Sequence, residues 1–170
     1  MDEVKRTDIS QLGEFGLIDR IASRFKLNRK ESLTGIGDDA AVLDYGGTPV
    51  IVTTDLLIEG IHFDLMYHPL KHLGYKAVIA NLSDICAMNA IPKHITVSIA
   101  ISNRFSVEAI EELYSGIGMA CNAYEVDLLI SDPLMKKLRL NGSFQVKALG
   151  EKELKGKGER VGLYTLLPAE

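Results

Sequence analysis

The sequence predicts one medium-sized domain that mixes helices and strands, either α/β or α+β, followed by a short tail of different character. Three observations carry this prediction. Val50-Ile51-Val52-Thr53-Thr54 is β-branched throughout and marks a strand. Residues 69–88 and 106–124 place apolar side chains three and four apart, the spacing of amphipathic helices. The charge also changes sign: residues 1–127 hold 11 Lys+Arg against 18 Asp+Glu, whereas residues 128–170 hold 8 against 5. Two segments of different origin or partner are the simplest reading of that change.

The elements follow in order. Residues 11–22 set Leu17, Ile18 and Ile21 on a helical stripe that continues to Phe25. A polar connector ends at Gly35-Ile36-Gly37-Asp38-Asp39, and Ala40-Ala41-Val42-Leu43 then reads as a strand. Tyr45-Gly46-Gly47-Thr48-Pro49 is a turn, leading into the β-branched strand. Pro69 suits a helix start, and Leu73, Ala77, Ala80, Ile85 and Met88 are expected to share one face of the helix that follows. Ala90-Ile91-Pro92 stops it, and residues 94–102 alternate as another strand. Ser106 is the expected N-cap of the next helix, with Glu108 in an acidic first turn and Ile110, Leu113, Ile117 and Cys121 as its stripe. Residues 126–130 make a short strand. A short helix over 132–140, the stretch 144–149, a Lys/Gly-rich turn and a final strand over 161–167 complete the chain. Strands that follow one another directly are expected to pair antiparallel.

Composition narrows the function classes. With 170 residues, 46% hydrophobic and 25% charged, the chain is long enough to bury a core and too apolar to be disordered. No apolar run reaches membrane-spanning length, and the opening Met1-Asp2-Glu3-Val4-Lys5-Arg6 is too charged for a signal-peptide core. A cytoplasmic location without membrane association is the expectation. The basic tail alone does not indicate nucleic acid, because a solvated lysine-rich surface gives the same count. Cys86 and Cys121 lack metal-site spacing and are expected to be reduced, buried and inert.

Acidic residues at the ends of apolar elements are the informative feature. Asp38 and Asp39 follow Gly-Ile-Gly, Asp55 closes the strand after Thr53 and Thr54, and Asp84 lies in an otherwise apolar helix beside Asn81 and Ser83. A carboxylate among core positions needs a partner. Convergence of Asp39, Asp55 and Asp84 on a hard divalent cation, Mg2+ by default, would satisfy all of them. Separate capping of turns and helices would do so too, and Asp38 and Asp39 are natural turn residues.

Three segments resemble thiamine-monophosphate kinase: Gly35-Ile36-Gly37-Asp38-Asp39-Ala40-Ala41-Val42-Leu43, Thr53-Thr54-Asp55-Leu56-Leu57-Ile58-Glu59-Gly60-Ile61-His62-Phe63, and Lys76 through Met88 with its Asn81-Leu82-Ser83-Asp84. Leu12-Gly13-Glu14-Phe15-Gly16 fits as well, so the resemblance covers about residues 10–129. The Gly-Asp-Asp and Thr-Asp elements are shared with aminoimidazole ribonucleotide synthetase, hydrogenase-maturation and selenophosphate enzymes. The Glu59-Gly60-Ile61-His62-Phe63 and Asn81-Leu82-Ser83-Asp84 forms favour the thiamine kinase. The resemblance implies an α+β domain, a mixed or antiparallel sheet with helices on one face, that pairs into a dimeric β-barrel as a homodimer. It implies ATP and Mg2+ as ligands and phosphorylation of thiamine monophosphate to the diphosphate. It further implies Asp39, Thr53, Thr54, Asp55 and Asp84 as metal ligands, His62 as a substrate-phosphate contact and Tyr114 as a nucleotide contact. No catalytic nucleophile is expected, since phosphoryl transfer needs charge neutralisation and in-line positioning.

The chain departs from the family at the next motif. Where a strand ending in Gly-Gly-Asp-Thr is expected, Ile130-Ser131-Asp132-Pro133 stands; Asp132 holds the metal-binding aspartate's place, but side chains replace both glycines and obstruct close approach to phosphate. The family continues into a second domain, for which the 38 residues after Asp132 are too few, so activity of this form is expected to be weak or absent. Residues 129–167, with Leu149-Gly150-Glu151-Lys152-Glu153-Leu154-Lys155-Gly156-Lys157-Gly158-Glu159, resemble instead the end of a class III adenylate/guanylate cyclase domain, which implies Lys155 as a phosphate contact; an exposed β-turn explains the same residues. The expected division is residues 1–128 as the kinase-like domain and 129–170 as a cyclase-like tail. A non-catalytic nucleotide-binding or dimerisation module and a cyclase half-site are the alternatives.

Overall fold

Ser106 opens a helix of 17 residues and shows how local chemistry sets the element boundaries. In the computed structural model, which describes residues 8–131, 144–153 and 160–168, Ser106 has extended backbone and its Oγ accepts the Ala109 N–H at 3.2 Å. That bond satisfies one of the donors left over at a helix start. Glu108 adds to the cap: its own backbone N–H and the Ser106 hydroxyl hold its carboxyl below the ordinary glutamate range. The helix runs over Val107–Ala123, here α3, and ends where Tyr124 N–H reaches back to the Ala120 carbonyl.

The remaining elements are helix α1 (Gly13–Ala22), strands β1 (Ser32–Thr34), β2 (Ala41–Asp44) and β3 (Pro49–Val52), helix α2 (Leu70–Ala87), and strands β4 (His94–Ile95), β5 (Asp127–Ser131), β6 (Phe144–Glu153) and β7 (Arg160–Pro168). A single 3-10 turn over Ile9–Gln11 precedes α1. The chain divides into two compact units. One holds the residues up to Thr54 together with Ser83–Ala90, and the other holds Asp55–Leu82 and the residues from Ile91 onward.

In the first unit β1, β2 and β3 form an antiparallel sheet in chain order. The turn between β2 and β3 is fixed by Asp44, whose Oδ1 accepts the Gly46 and Gly47 N–H groups at 2.9 and 2.6 Å. These bonds hold the Asp44 carboxyl below its ordinary range. Strand β1 falls in what the sequence reads as polar connector, because Ser32-Leu33-Thr34 is too short to show alternation.

The second unit contains the core. Its sheet has the order β4-β5-β7-β6, with β4 parallel to β5 across the α3 connection and the other pairs antiparallel. Val126, Leu128 and Ile130, two apart, point to one face and pack with Val78 and Leu82 of α2 and with Ile117, Ala120 and Cys121 of α3. Helices therefore cover one side of a mixed sheet, as the α+β class requires. Glycine sets the distance between them. A Cβ on Gly74 would run into the Leu113 carbonyl oxygen, and one on Gly116 into the Lys71 carbonyl oxygen.

Several expectations change. The buried face of α2 is Leu73, Gly74, Val78 and Leu82, not the face of Leu73, Ala77, Ala80, Ile85 and Met88; apolar residues are spread around the helix, and the glycine contact picks the side. On α3 the stripe shifts to Gly116, Ile117, Ala120 and Cys121, with Leu113 packed beside it. Among the described residues only His94 and Ile95 of the expected strand over 94–102 pair with a neighbour. Cys121 is buried, but Cys86 is exposed, because it lies on the solvent side of α2. Neither sheet closes into a barrel among the described residues. The expected helix over 132–140 lies outside the described residues. The tail is sewn into the second unit's sheet: β7 pairs with β5 from Leu128↔Leu166 to Ser131↔Leu163.

Candidate functional site

The first unit brings three of the expected residues together. Thr53 leaves β3 one residue past its end, and its half-buried Oγ1 lies 3.1 Å from the Asp39 carbonyl oxygen and 3.1 Å from Asp84 Oδ2. A hydroxyl has one proton, so the two acceptors share it. Asp84 sits in the last turn of α2, where its own carbonyl receives the Met88 N–H. That turn contains no basic residue, and the helix there presents the negative end of its dipole. A carboxylate in that position is electrostatically unfavourable until a cation or a donor reaches it. Thr53 supplies one donor. Asp38 is a turn residue, its Oδ1 accepting the Asp39 N–H at 3.0 Å. Thr54 and Asp39 are exposed.

The donors assembled here are a carboxylate, a hydroxyl and a carbonyl, all oxygen, which suits Mg2+ and not a soft metal. The residues fit such an ion by type. Among the described residues no three His, Cys, Asp or Glu side chains are grouped to hold a metal, so the expected convergence of Asp39, Asp55 and Asp84 is not a preformed cage.

In the second unit Asp55 is exposed, and its backbone N–H donates to Asn81 Oδ1 at 3.1 Å. The Asn81 Nδ2 donates to the Ala77 carbonyl at 3.0 Å, so both ends of the amide are used. Asn81 is a strut for Asp55 that sequence reasoning flags only as a polar residue among core positions. His62 is exposed in a tight turn, where its Nδ1 accepts the Ile58 N–H at 3.0 Å. Gly60 makes that turn possible with φ +77, a value a side chain would resist. Tyr114 flanks the core from α3, and burial pushes its phenol up from the ordinary range. Asp132 and Lys155 lie outside the described residues.

Comparison with known proteins gives these residues a family. The model for the N-terminal domain of AIR synthase related proteins matches residues 37–133, a span that includes Asp39, Thr53, Thr54, Asp55, His62, Asp84, Tyr114 and Asp132. A thiamine-monophosphate kinase of Bacillus subtilis (strain 168) is 37% identical over 122 residues, 71% of this chain and 37% of its own length. The thiamine-monophosphate kinase of Aquifex aeolicus (strain VF5) is 36% identical over 123 residues, again 71% and 37%. The chain thus spans a little over a third of the curated relatives it matches. A solved structure, AaThiL complexed with AMPPCP and TMP, covers 95% of this chain and 43% of its own, with a TM-score of 0.62 at 28% identity. The tail's resemblance to a cyclase end is not carried by these matches. No helix is long and apolar enough to cross a membrane among the described residues. The chain belongs to the AIR synthase related family, through that family's N-terminal domain, and its relatives are thiamine-monophosphate kinases.

Proposed function

We propose that this chain carries the N-terminal part of a site for ATP- and Mg2+-dependent phosphorylation of thiamine monophosphate to thiamine diphosphate. The observation that carries this reading is the Thr53 hydroxyl shared between Asp84 and the Asp39 carbonyl, which sets an oxygen-lined acidic corner within the span that the family model matches. Asp39, Thr53, Thr54, Asp55, Asp84 and Asp132 are the oxygen donors for Mg2+, which when bound would neutralise phosphate charge. His62 binds the substrate phosphate, and Tyr114 and Lys155 are nucleotide contacts. The chain's part is positioning. It supplies no nucleophile: an oxygen of the thiamine-bound phosphate attacks the terminal phosphorus of ATP, that phosphorus–oxygen bond breaks, and ADP leaves.

The chain functions as a homodimer, residues 1–128 forming the kinase-like domain and 129–170 a tail whose strands β6 and β7 extend the sheet of β4 and β5. Turnover is weak or absent, because Ile130 and Ser131 stand where the family places two glycines.

Titration calorimetry of Mg2+-ATP with and without thiamine monophosphate, followed by assay for thiamine diphosphate, tests the reading. Asp84→Asn keeps an acceptor for Thr53 but removes the charge, so Mg2+-dependent binding is expected to fall about tenfold, the size of one charged contact, with folding unchanged. Binding without turnover would establish a nucleotide-binding module. No binding by the wild-type chain would sink the proposal, and full turnover would sink the expected impairment.

A further inference from the structure

We propose that Lys76 is a positioning residue that clamps the His62 turn onto α2, fixing the imidazole as its Nε2–H tautomer so that this N–H is presented as a donor to a phosphomonoester oxygen. The inference rests on the reading of His62 as the substrate-phosphate contact and names the device that readies it.

Residues 58–63 form a turn closed on itself. The Ile61 and His62 N–H groups donate to the Ile58 carbonyl at 3.2 and 2.9 Å, and the Gly60 N–H donates to the Phe63 carbonyl at 2.7 Å. The turn also binds the ring it carries: the Ile58 N–H donates to His62 Nδ1 at 3.0 Å. A nitrogen that accepts from a backbone N–H holds no proton, so in the neutral ring the proton is on Nε2. His62 Nε2–H is therefore a donor of set identity. An exposed turn held only by its own short-range bonds competes with water for each of them.

The tie to a rigid element comes from Lys76, on the second turn of α2, whose Nζ donates to the His62 carbonyl at 2.6 Å across 14 positions of sequence. His62 is then fixed through its N–H, its ring and its carbonyl at once. The charge on the ammonium makes this the strongest bond in the set. Its partner is a backbone carbonyl, so the ion is spent on geometry and not on neutralising a carboxylate. Asn81, further along the same helix, does the same for the Asp55 N–H, so α2 grips both ends of the segment that joins Asp55 to Phe63.

The test uses the full chain labelled with 15N, the His62 ring signals being assigned by comparison with His62→Gln. Long-range proton–nitrogen spectra distinguish the two tautomers, and exposed His72 serves as the internal reference for an averaged ring. In the wild type the His62 nitrogens are expected at the separated positions of an Nε2–H imidazole. Lys76→Met, which keeps the aliphatic stem, is expected to move them toward the averaged His72 pattern and to weaken thiamine monophosphate binding about tenfold, the effect of one charged hydrogen bond. Lys76→Arg, which keeps the charge and a donor, is expected to restore both. Unchanged His62 ring signals in Lys76→Met overturn the proposal, whether or not affinity falls. If the wild-type chain does not bind thiamine monophosphate, the substrate reading fails, and the ring signals alone still decide the role of Lys76.

Discussion

The two units of this chain are held together by different physics. From Ile91 onward, with Asp55–Leu82, gather nine of the ten buried apolar side chains found among the described residues, most of them in one cluster between α2, α3 and β5. Among the described residues the unit built on β1, β2 and β3 buries one apolar side chain deeply, Ala40, and its helix α1 buries none. That unit instead uses turns and polar bonds: Asp44 to two glycine N–H groups, and Thr53 to Asp39 and Asp84. A packed core tolerates little change of volume, whereas a hydrogen-bonded frame tolerates much change of surface but little change of donor or acceptor. The acidic corner sits in the second kind of structure, so its residues are replaceable without collapse of the core.

The sharpest way to break this comparison is at the helix contact. Gly116→Ala places a methyl group on the Lys71 carbonyl, which is backbone and cannot turn aside. The variant is expected to lose about 3 kcal/mol or more in denaturant unfolding, since overpacking at backbone contact exceeds ordinary overpacking. A loss below about 1 kcal/mol would mean that α2 and α3 are free to part.

Cys121 provides the next largest effect. Burial, and after it the charge of Asp127, pushes its thiol up to about 11 from the ordinary value of 9.0. The sign follows from proton counting. Between those two values the unfolded chain has released the proton and the folded chain has kept it, so stability is full below the ordinary value and falls as pH rises, by at most about 1.4 kcal/mol per pH unit. Unfolding free energies measured from pH 8 to 11 should show this slope, and Cys121→Ala should remove it. The exposed thiol of Cys86 should react with a thiol reagent at pH 8 while Cys121 does not.

Legibility in the sequence divides along the same line. The boundaries of α2 and α3 are readable to within a residue or two because Pro69 and Ser106 are local signals with local consequences. The face α2 buries is not readable, since Gly74 gains its meaning only when Leu113 lies opposite. The strand expected over residues 94–102 shrinks to two residues for a related reason: β-propensity says that a segment suits a ladder, not that a partner strand is present. At the site, Asp39, Thr53 and Asp84 are legible as polar residues at the ends of apolar elements, and the family motifs order them. Lys76 leaves no such trace, and Asn81 shows only as a polar residue among core positions with no role attached, because each bonds a backbone group that any residue type would supply.

A smaller test lies within the sheet. Thr165 on β7 pairs with Leu129 on β5 and with Lys147 on β6, and it is fully buried with no hydrogen-bond partner for its hydroxyl among the described residues. A buried hydroxyl without a hydrogen bond costs about 1–3 kcal/mol. Thr165→Val keeps the shape and the branched Cβ while removing that group, so it is expected to raise stability by about 1 kcal/mol. A destabilised variant would show that the hydroxyl has a partner and that the sheet in the core unit also depends on polar bonds.

The smallest expected effect tests the other side of the comparison. Helix α1 has a regular apolar stripe, and that pattern in a packed domain would point inward. Yet Phe15 is 81% exposed, and Leu17 and Ile18 are only half covered. If the first unit is held by its turns and polar bonds, Phe15→Ser removes a large ring from water contact and little else. The loss in unfolding free energy is then within about 0.5 kcal/mol, as for other surface substitutions. A buried phenylalanine would instead cost about 3–5 kcal/mol. The two values are far enough apart for one denaturation curve to separate them. A loss near the larger value would give the first unit an apolar core of its own, and the acidic corner would then share the intolerance of the packed unit.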